Sequence, residues 1–278
     1  MSDACKTCGQ SEGCSGESCS VAPEKQQNIK NVIAIMSGKG GVGKSSVTAL
    51  LAVALQKRGF RIGIMDADVT GPSIPKLFGL KGGQLISGTN GIAPAKTKLG
   101  IEVISVNLIL PNEDEPVIWR GPVISGIINQ FWTDVQWGEL DYLLVDLPPG
   151  TGDVPLTVMQ TLPLNGVIVV TTPQSLVALI VKKAINMARK MKVPVIGLID
   201  NYAYVECTDC KHQINLFGNS NTEEMAGKMG IPLLGQLPLD PTFVEFCDSG
   251  QIEDYLNQES SINKVISSVI DMFEKGHK

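Results

Sequence analysis

Gly38-Lys39-Gly40-Gly41-Val42-Gly43-Lys44-Ser45 is the stretch on which the fold turns. It follows the apolar run Val32 to Ser37 and opens the helical run Ser45 to Lys57. A glycine-rich turn between a strand and a helix is where backbone N–H groups and the helix dipole cradle phosphate. Two motifs overlap there. Gly38, Gly40 and Gly43 satisfy the dinucleotide fingerprint G-x-G-x-x-G, with Asp66 ending the next strand where a ribose-binding carboxylate belongs. The same residues satisfy G-x-x-x-x-G-K-S, and Lys44 and Ser45 decide between the two. A dinucleotide site needs neither a lysine on the β/γ-phosphates nor a hydroxyl on magnesium. The expected ligand is a nucleoside triphosphate with Mg2+, contacted by Gly38, Gly40, Gly41, Val42, Gly43, Lys44, Ser45 and Ser46. The apolar run Tyr142 to Val145 delivers Asp146 at a strand end, placed with Ser45 to hold the magnesium directly or through water.

Outward from the loop, short β-rich runs alternate with helical ones, the pattern of a parallel sheet covered on both faces. Strands are expected at Val32 to Ser37, Arg61 to Asp66, Glu102 to Val106, Tyr142 to Asp146, Gly166 to Thr171, Val195 to Asn201 and Leu233 to Leu237. Helical spacing covers Ser45 to Lys57, Gly121 to Gln136, Ser175 to Met191 and Asn221 to Met229, which serve as crossovers. The fold class is therefore α/β, a single doubly wound domain over residues 31 to 278 with a mostly parallel sheet. At the C-terminus, Ile262, Val265, Ile266, Val269, Ile270 and Phe273 form one apolar helical stripe. Asp271 and Glu274 balance Lys264 and Lys275, so this helix is expected on the sheet rather than on a membrane.

Residues 1 to 30 are rich in Ser, Gly, Glu and Gln and nearly free of large apolar side chains, which marks a tail that only a ligand would order. The 278 residues carry 23 basic and 28 acidic side chains, a net charge of −5, and are 43% hydrophobic. That excludes a disordered chain, and with no basic tract it argues against nucleic acid as a partner. The longest uncharged stretch, Val154 to Val181, is cut by Pro155, Pro163 and Pro173, so no membrane span is expected. The first 30 residues have no apolar core of a secretory signal, and the expected location is a reducing cytoplasm.

In such a compartment clustered thiols are metal ligands or redox groups more often than disulfides. Of the seven cysteines, Cys5, Cys8, Cys14 and Cys19 lie in the tail, Cys207 and Cys210 form a C-x-x-C pair in a loop, and Cys247 sits alone in a helical run as a small buried residue. The pair is open to three readings: a redox dithiol, half of a zinc site with His212 nearby, or half of an iron–sulfur site. A two-fold axis through the loop would complete four thiolates from two protomers. Lys39 supports a dimer, since its side chain leaves a cradle already committed through its backbone and is free to reach a neighbouring subunit's γ-phosphate; a solvated surface lysine is the alternative. The four tail thiolates fall within 15 residues, enough to wrap one cluster or one zinc.

The glycine loop with Lys39, the segment Asp66-Ala67-Asp68-Val69-Thr70-Gly71-Pro72-Ser73, and Asp146-Leu147-Pro148-Pro149-Gly150-Thr151-Gly152-Asp153 together resemble the Mrp/ApbC family of iron–sulfur cluster carrier ATPases. This is the deviant Walker A class, to which the cell-division regulator MinD and the nitrogenase iron protein also belong. The resemblance extends to Gln130-Phe131-Trp132, Trp137-Gly138, Thr171-Thr172-Pro173-Gln174 and Pro238-Leu239-Asp240-Pro241. It implies a slow Mg-dependent ATPase in which Lys39 is the signature lysine, Lys44 binds phosphate, Asp68 orients the attacking water, and Asp146 and Asp153 belong to the second switch. It also implies that Asn201 contacts the adenine ring with Pro238 and Asp240 near it. By the same resemblance, Cys207 and Cys210 of two protomers share a [4Fe–4S] cluster that is passed to apoproteins, and Cys5, Cys8, Cys14 and Cys19 hold a second one. The sequence departs from the family in having Thr208-Asp209 where a proline often lies, and Asp200 where Glu usually precedes Asn201.

Two other classes compete. A zinc-clamped dimeric ATPase that targets hydrophobic protein segments needs a methionine-rich helical subdomain, for which this chain has no room. A spatial regulator like MinD would want a basic amphipathic C-terminus and would leave six cysteines unused.

Overall fold

The strand that leads into the glycine loop is the middle of the sheet. In this computed structural model, residues 28–69, 71–83, 85–88, 91–110, 121–174, 177–207, 209–218 and 222–276 are described; Cys5, Cys8, Cys14 and Cys19 lie outside them. The chain runs β1 (Ile29–Ser37), α1 (Lys44–Lys57), β2 (Ile62–Asp66), α2 (Ile74–Leu77), β3 (Ile86–Gly88), β4 (Gly91–Ala93), β5 (Ala95–Lys96), β6 (Glu102–Ile104) and α3 (Val106–Ile109). It continues through α4 (Gly121–Thr133), β7 (Leu140–Asp146), α5 (Asp153–Thr161), β8 (Gly166–Thr171), α6 (Val177–Lys190), β9 (Val195–Asp200), β10 (Val205–Glu206) and β11 (Gln213–Ile214). It closes with α7 (Thr222–Met229), β12 (Leu233–Gln236), α8 (Pro241–Asp248), α9 (Ile252–Tyr255) and α10 (Ser261–Gly276).

The main sheet has the order β12-β9-β8-β1-β7-β2-β6-β5, parallel throughout except for β5, which pairs antiparallel with β6 at one edge. The doubly wound architecture expected from the sequence is what forms. Alternation along each strand feeds two apolar layers. Ile33 and Ile35 of β1, Tyr142 and Leu144 of β7, and Ile168 and Val170 of β8 face one core together with α1 and α10. Val32, Ala34 and Met36, Leu143 and Val145, and Val167 and Val169 face the other, with α4 and α6. Helix α1 is Ala- and Leu-rich and buries nine residues, because it lies between the sheet and α10. The stripe of α10 packs as expected, with Ile262, Ile266, Val269, Ile270 and Phe273 all buried.

Several elements differ from the sequence reading. β1 begins at Ile29, which is buried and pairs with Leu140, so the strand takes up the last residues assigned to the tail. β6 stops at Ile104 because the next residues turn into α3, with Ser105 turning its hydroxyl inward to Asp66. α4 ends at Thr133, and the backbone of Asp134 and Gln136 pairs instead with Ile92. No helix among the described residues is long and apolar enough to cross a membrane.

Candidate functional site

β1 and α1 are joined by the glycine loop at the C-terminal edge of the sheet. Gly41 and Gly43 take left-handed φ angles of 78° and 75°, which a residue with a Cβ adopts only under strain. Gly43 also has no room for a Cβ, which would collide with the Asn201 amide and come within 2.7 Å of the Tyr202 phenol oxygen. No side chain caps the start of α1, so its leading N–H groups are left to a ligand. The loop lines a cavity of about 260 Å³ whose walls include Lys44, Ser45, Asp68, Ser73 and Pro149. An open concavity built from backbone amides, a lysine and a hydroxyl fits a polyphosphate.

Beneath the loop lies a buried ionic cluster. Asp146 is fully buried; its Oδ2 accepts from Lys44 Nζ at 2.7 Å and Ser45 Oγ at 2.6 Å, and its Oδ1 accepts from Thr48 Oγ1 at 2.6 Å. A carboxylate and a serine hydroxyl in contact are a hard oxygen pair of the kind Mg2+ takes alongside phosphate. Register places Asp66 of β2 opposite Asp146 of β7. Asp66 is 1% exposed; its Oδ2 accepts from Ser105 Oγ at 3.0 Å and its Oδ1 from the Asp68 amide at 3.2 Å. Burial, and then the negative charge of Asp146, push the Asp66 carboxyl up to about 8, so it holds its proton at neutral pH.

The structure places the other expected residues as follows. Lys39 is exposed and does not line the cavity, and its carbonyl accepts from Ser37 Oγ at 3.0 Å. Asp68 lines the cavity, and Asp153 stands exposed in the first turn of α5. Asn201 is buried against the loop, its Nδ2 donating to the Val42 carbonyl at 2.9 Å. Pro238 and Asp240 follow β12, outside the cavity wall. Both Asp240 oxygens are in use: Oδ1 caps α8 by accepting from the Thr242 amide at 2.9 Å, and Oδ2 accepts from Tyr255 at 2.6 Å.

Cys207 and Cys210 sit in the connection between β10 and β11, Cys207 half-buried and Cys210 exposed. The Cys207 amide donates to the His212 carbonyl at 2.9 Å, and the Lys211 amide to the Cys207 carbonyl at 3.0 Å. Backbone N–H groups of Cys210 and Asp209 and the Cys210 side chain pull the Cys207 thiol below its ordinary range, toward thiolate. Among the described residues no three His, Cys, Asp or Glu side chains converge as metal ligands, so within one protomer the described part of this site is a pair. Ile214, Leu216 and Phe217 stand exposed just beyond it. Cys247 is buried in α8, as expected; burial pushes its thiol up to about 11, and it hydrogen-bonds Ser46 of α1.

Residues 28–273 match the model of the NUBPL iron-transfer P-loop NTPases, within the ParA group. The chain belongs to this family. An iron–sulfur cluster carrier protein of Clostridium perfringens is 46% identical over 261 residues, 91% of this chain and 92% of that one. A cytosolic Fe–S cluster assembly factor, CFD1, of Eremothecium gossypii is 41% identical over 82% of this chain and 84% of its own. A nucleotide-binding protein of Archaeoglobus fulgidus, solved with ADP, superposes with a TM-score of 0.75 at 47% identity, covering 84% of this chain and 91% of that chain.

Three contributors to this NUBPL-type site escape motif reading. Thr48 lies one helical turn beyond Lys44, so the i, i+4 spacing was a usable signal. Ser105 shows its role only once β6 lies beside β2. Tyr202 carries no motif at all, yet its ring rests on the loop.

Proposed function

We propose that this chain is an ATP-hydrolysing iron–sulfur cluster carrier that works as a homodimer, holding a [4Fe–4S] cluster as cargo between the Cys207 and Cys210 pairs of two copies. The observation that carries this reading is the pair of free thiols on the β10–β11 connection, Cys210 exposed and Cys207 half-buried with its thiol pulled toward thiolate, which supplies two soft ligands where a cluster needs four. A second copy supplies the other two, and the exposed Ile214, Leu216 and Phe217 give the two copies apolar surface to bury around them. Delivery is ligand exchange: thiolates of an apoprotein replace those of the carrier on iron, with no net change in oxidation state. The tail cysteines Cys5, Cys8, Cys14 and Cys19 hold a second cluster.

At the nucleotide site, Ser45 and Asp146 would hold Mg2+, whose charge offsets that of the β- and γ-phosphates. Lys44 adds a positive charge to the same oxygens, and Asp68, on the cavity wall, orients the attacking water. Lys39, pointing out of its own cradle, reaches the γ-phosphate of the other copy, so hydrolysis and dimerisation are coupled. The chain acts in the cytoplasm, with neither a membrane nor nucleic acid as partner. The test is anaerobic reconstitution followed by iron and sulfide analysis and transfer to an apoprotein. Cys207→Ala is expected to lose the transferable cluster. Normal delivery by that variant, or zinc without iron in the native protein, overturns the reading.

A further inference from the structure

The peptide that leaves β9 touches the glycine loop first, at Asn201, and reaches the cysteine pair six residues later, at Cys207. The Asn201 amide nitrogen donates to the Val42 carbonyl, and the Asn201 backbone N–H to the Thr171 carbonyl at 2.8 Å. The next residue, Tyr202, hydrogen-bonds the Asn201 side chain and lays its phenol against Gly43. It does so in a left-handed conformation, φ 57°, which is costly for an aromatic residue and persists only where the surroundings hold it. From there the segment has little slack. Ala203 donates to the Leu237 carbonyl and Leu239 to the Tyr204 carbonyl, each at 2.8 Å, before β10 leads directly into Cys207. Among the described residues three non-glycine side chains have positive φ, and two of them, Tyr202 and Lys211, bracket the cysteine hairpin.

We propose that Asn201 and Tyr202 couple phosphate occupancy of the glycine loop to the geometry of the Cys207–Cys210 hairpin, within one protomer. A phosphate that engages the amides from Gly41 to Lys44 resets the position of Val42 and Gly43, the two residues on which Asn201 and Tyr202 rest. A strained residue held by that contact transmits the shift along a short stapled segment to the thiols. The role of the coupling rests on the carrier reading, since it makes nucleotide state a control on cargo; its existence does not.

The test therefore uses the cluster-free full-length chain. Alkylation of Cys207 by iodoacetamide is followed peptide by peptide by mass spectrometry, without nucleotide and with saturating Mg-ADP. The wild-type rate is expected to change about fivefold or more on ADP binding, the lower end of ordinary coupling between sites. In Tyr202→Gly, which relieves the backbone strain and removes the ring, the ratio is expected to fall close to one. An unchanged ratio in that variant, or no ADP effect in the wild type, overturns the proposal. Should the variant bind no ADP, the wild type decides: a hairpin whose geometry depends on phosphate occupancy makes ADP affinity depend in turn on a bulky group attached to the hairpin, so alkylated Cys207 is expected to shift ADP affinity relative to a Cys207→Ala chain treated in the same way. Equal affinities overturn the proposal. Coupling found alongside normal cluster delivery by Cys207→Ala would sink the carrier reading and leave the coupling standing.

Discussion

Replacing Asp66 with asparagine should make the nucleotide-free protein more stable, and increasingly so as the pH rises. The wild-type carboxyl takes its proton at a pKa of about 8 in the folded chain, against an ordinary value of 3.8. With the folded pKa raised, this group favours folding fully below the unfolded pKa. The contribution is lost progressively as pH climbs toward the folded pKa, by about 1.4 kcal/mol per pH unit. Between pH 5 and pH 8 the wild type therefore loses roughly 3–4 kcal/mol as the buried Asp66–Asp146 pair gives up the proton that it shares. An asparagine has no proton to retain and fits the same partners, its oxygen accepting from the Asp68 amide and its nitrogen donating to Ser105 Oγ. Urea denaturation of both proteins at pH 5 and pH 8 measures the difference. The stability gap between Asp66→Asn and wild type should widen in favour of the variant by about that amount. A gap that is the same at both pH values, or a variant less stable at pH 8, refutes the buried-acid reasoning. Infrared difference spectra give a second check, since the protonated carboxyl stretch of the wild type at pH 7 should be missing from the variant.

Three further outcomes follow from the same geometry. Thr48→Val keeps the shape but leaves Asp146 Oδ1 without its donor in a fully buried site, so urea unfolding should show a loss of about 1–3 kcal/mol. Gly43→Ala puts a Cβ at a φ of 75° and 2.7 Å from the Tyr202 oxygen, and calorimetric titration with ADP should show at least about tenfold weaker binding in a folded protein. Leu216→Glu, at a side chain 51% exposed, should leave monomer stability unchanged within about 0.5 kcal/mol while shifting the cluster-loaded protein toward monomer in analytical ultracentrifugation.

Much of the fold could be read from local pattern because parallel strands buried on both faces are nearly unbroken apolar runs. β8 was bounded correctly from Gly166 to Thr171, and β2, β7, β9 and β12 to within two residues. What failed was pattern that depends on neighbours. α5 runs from Asp153 through Pro155, a residue tolerated in a first helical turn but read from sequence only as a break in an uncharged stretch. The two-residue strands β10 and β11 are too short to show periodicity, yet they present Cys207 and Cys210. At the site, Lys44, Ser45 and Asp146 were legible because phosphate chemistry fixes their types and spacing. Asp66 was visible only as a possible ribose ligand in the rejected dinucleotide reading, because its partners Asp146 and Ser105 come from β7 and from the end of β6.

A strand that is apolar on both sides has no polar face to tell it which way up it lies, so a slip by one residue costs little in hydrophobicity. Here shape supplies the missing instruction. A Cβ placed at Gly63 of β2 would come within 2.6 Å of Leu140 Cδ1, and one at Gly166 of β8 within 2.6 Å of Ile196 Cγ1. The same holds at Gly197 of β9, 2.5 Å from Leu234 Cγ, and at Gly235 of β12, 2.5 Å from Val265 Cγ1. Each of these strands thus carries one notch filled by a branched side chain, and a shifted register would drive a side chain into that neighbour. The notches act as keys that set Asp66 opposite Asp146 and hold the glycine loop at the height where Asn201 can meet it.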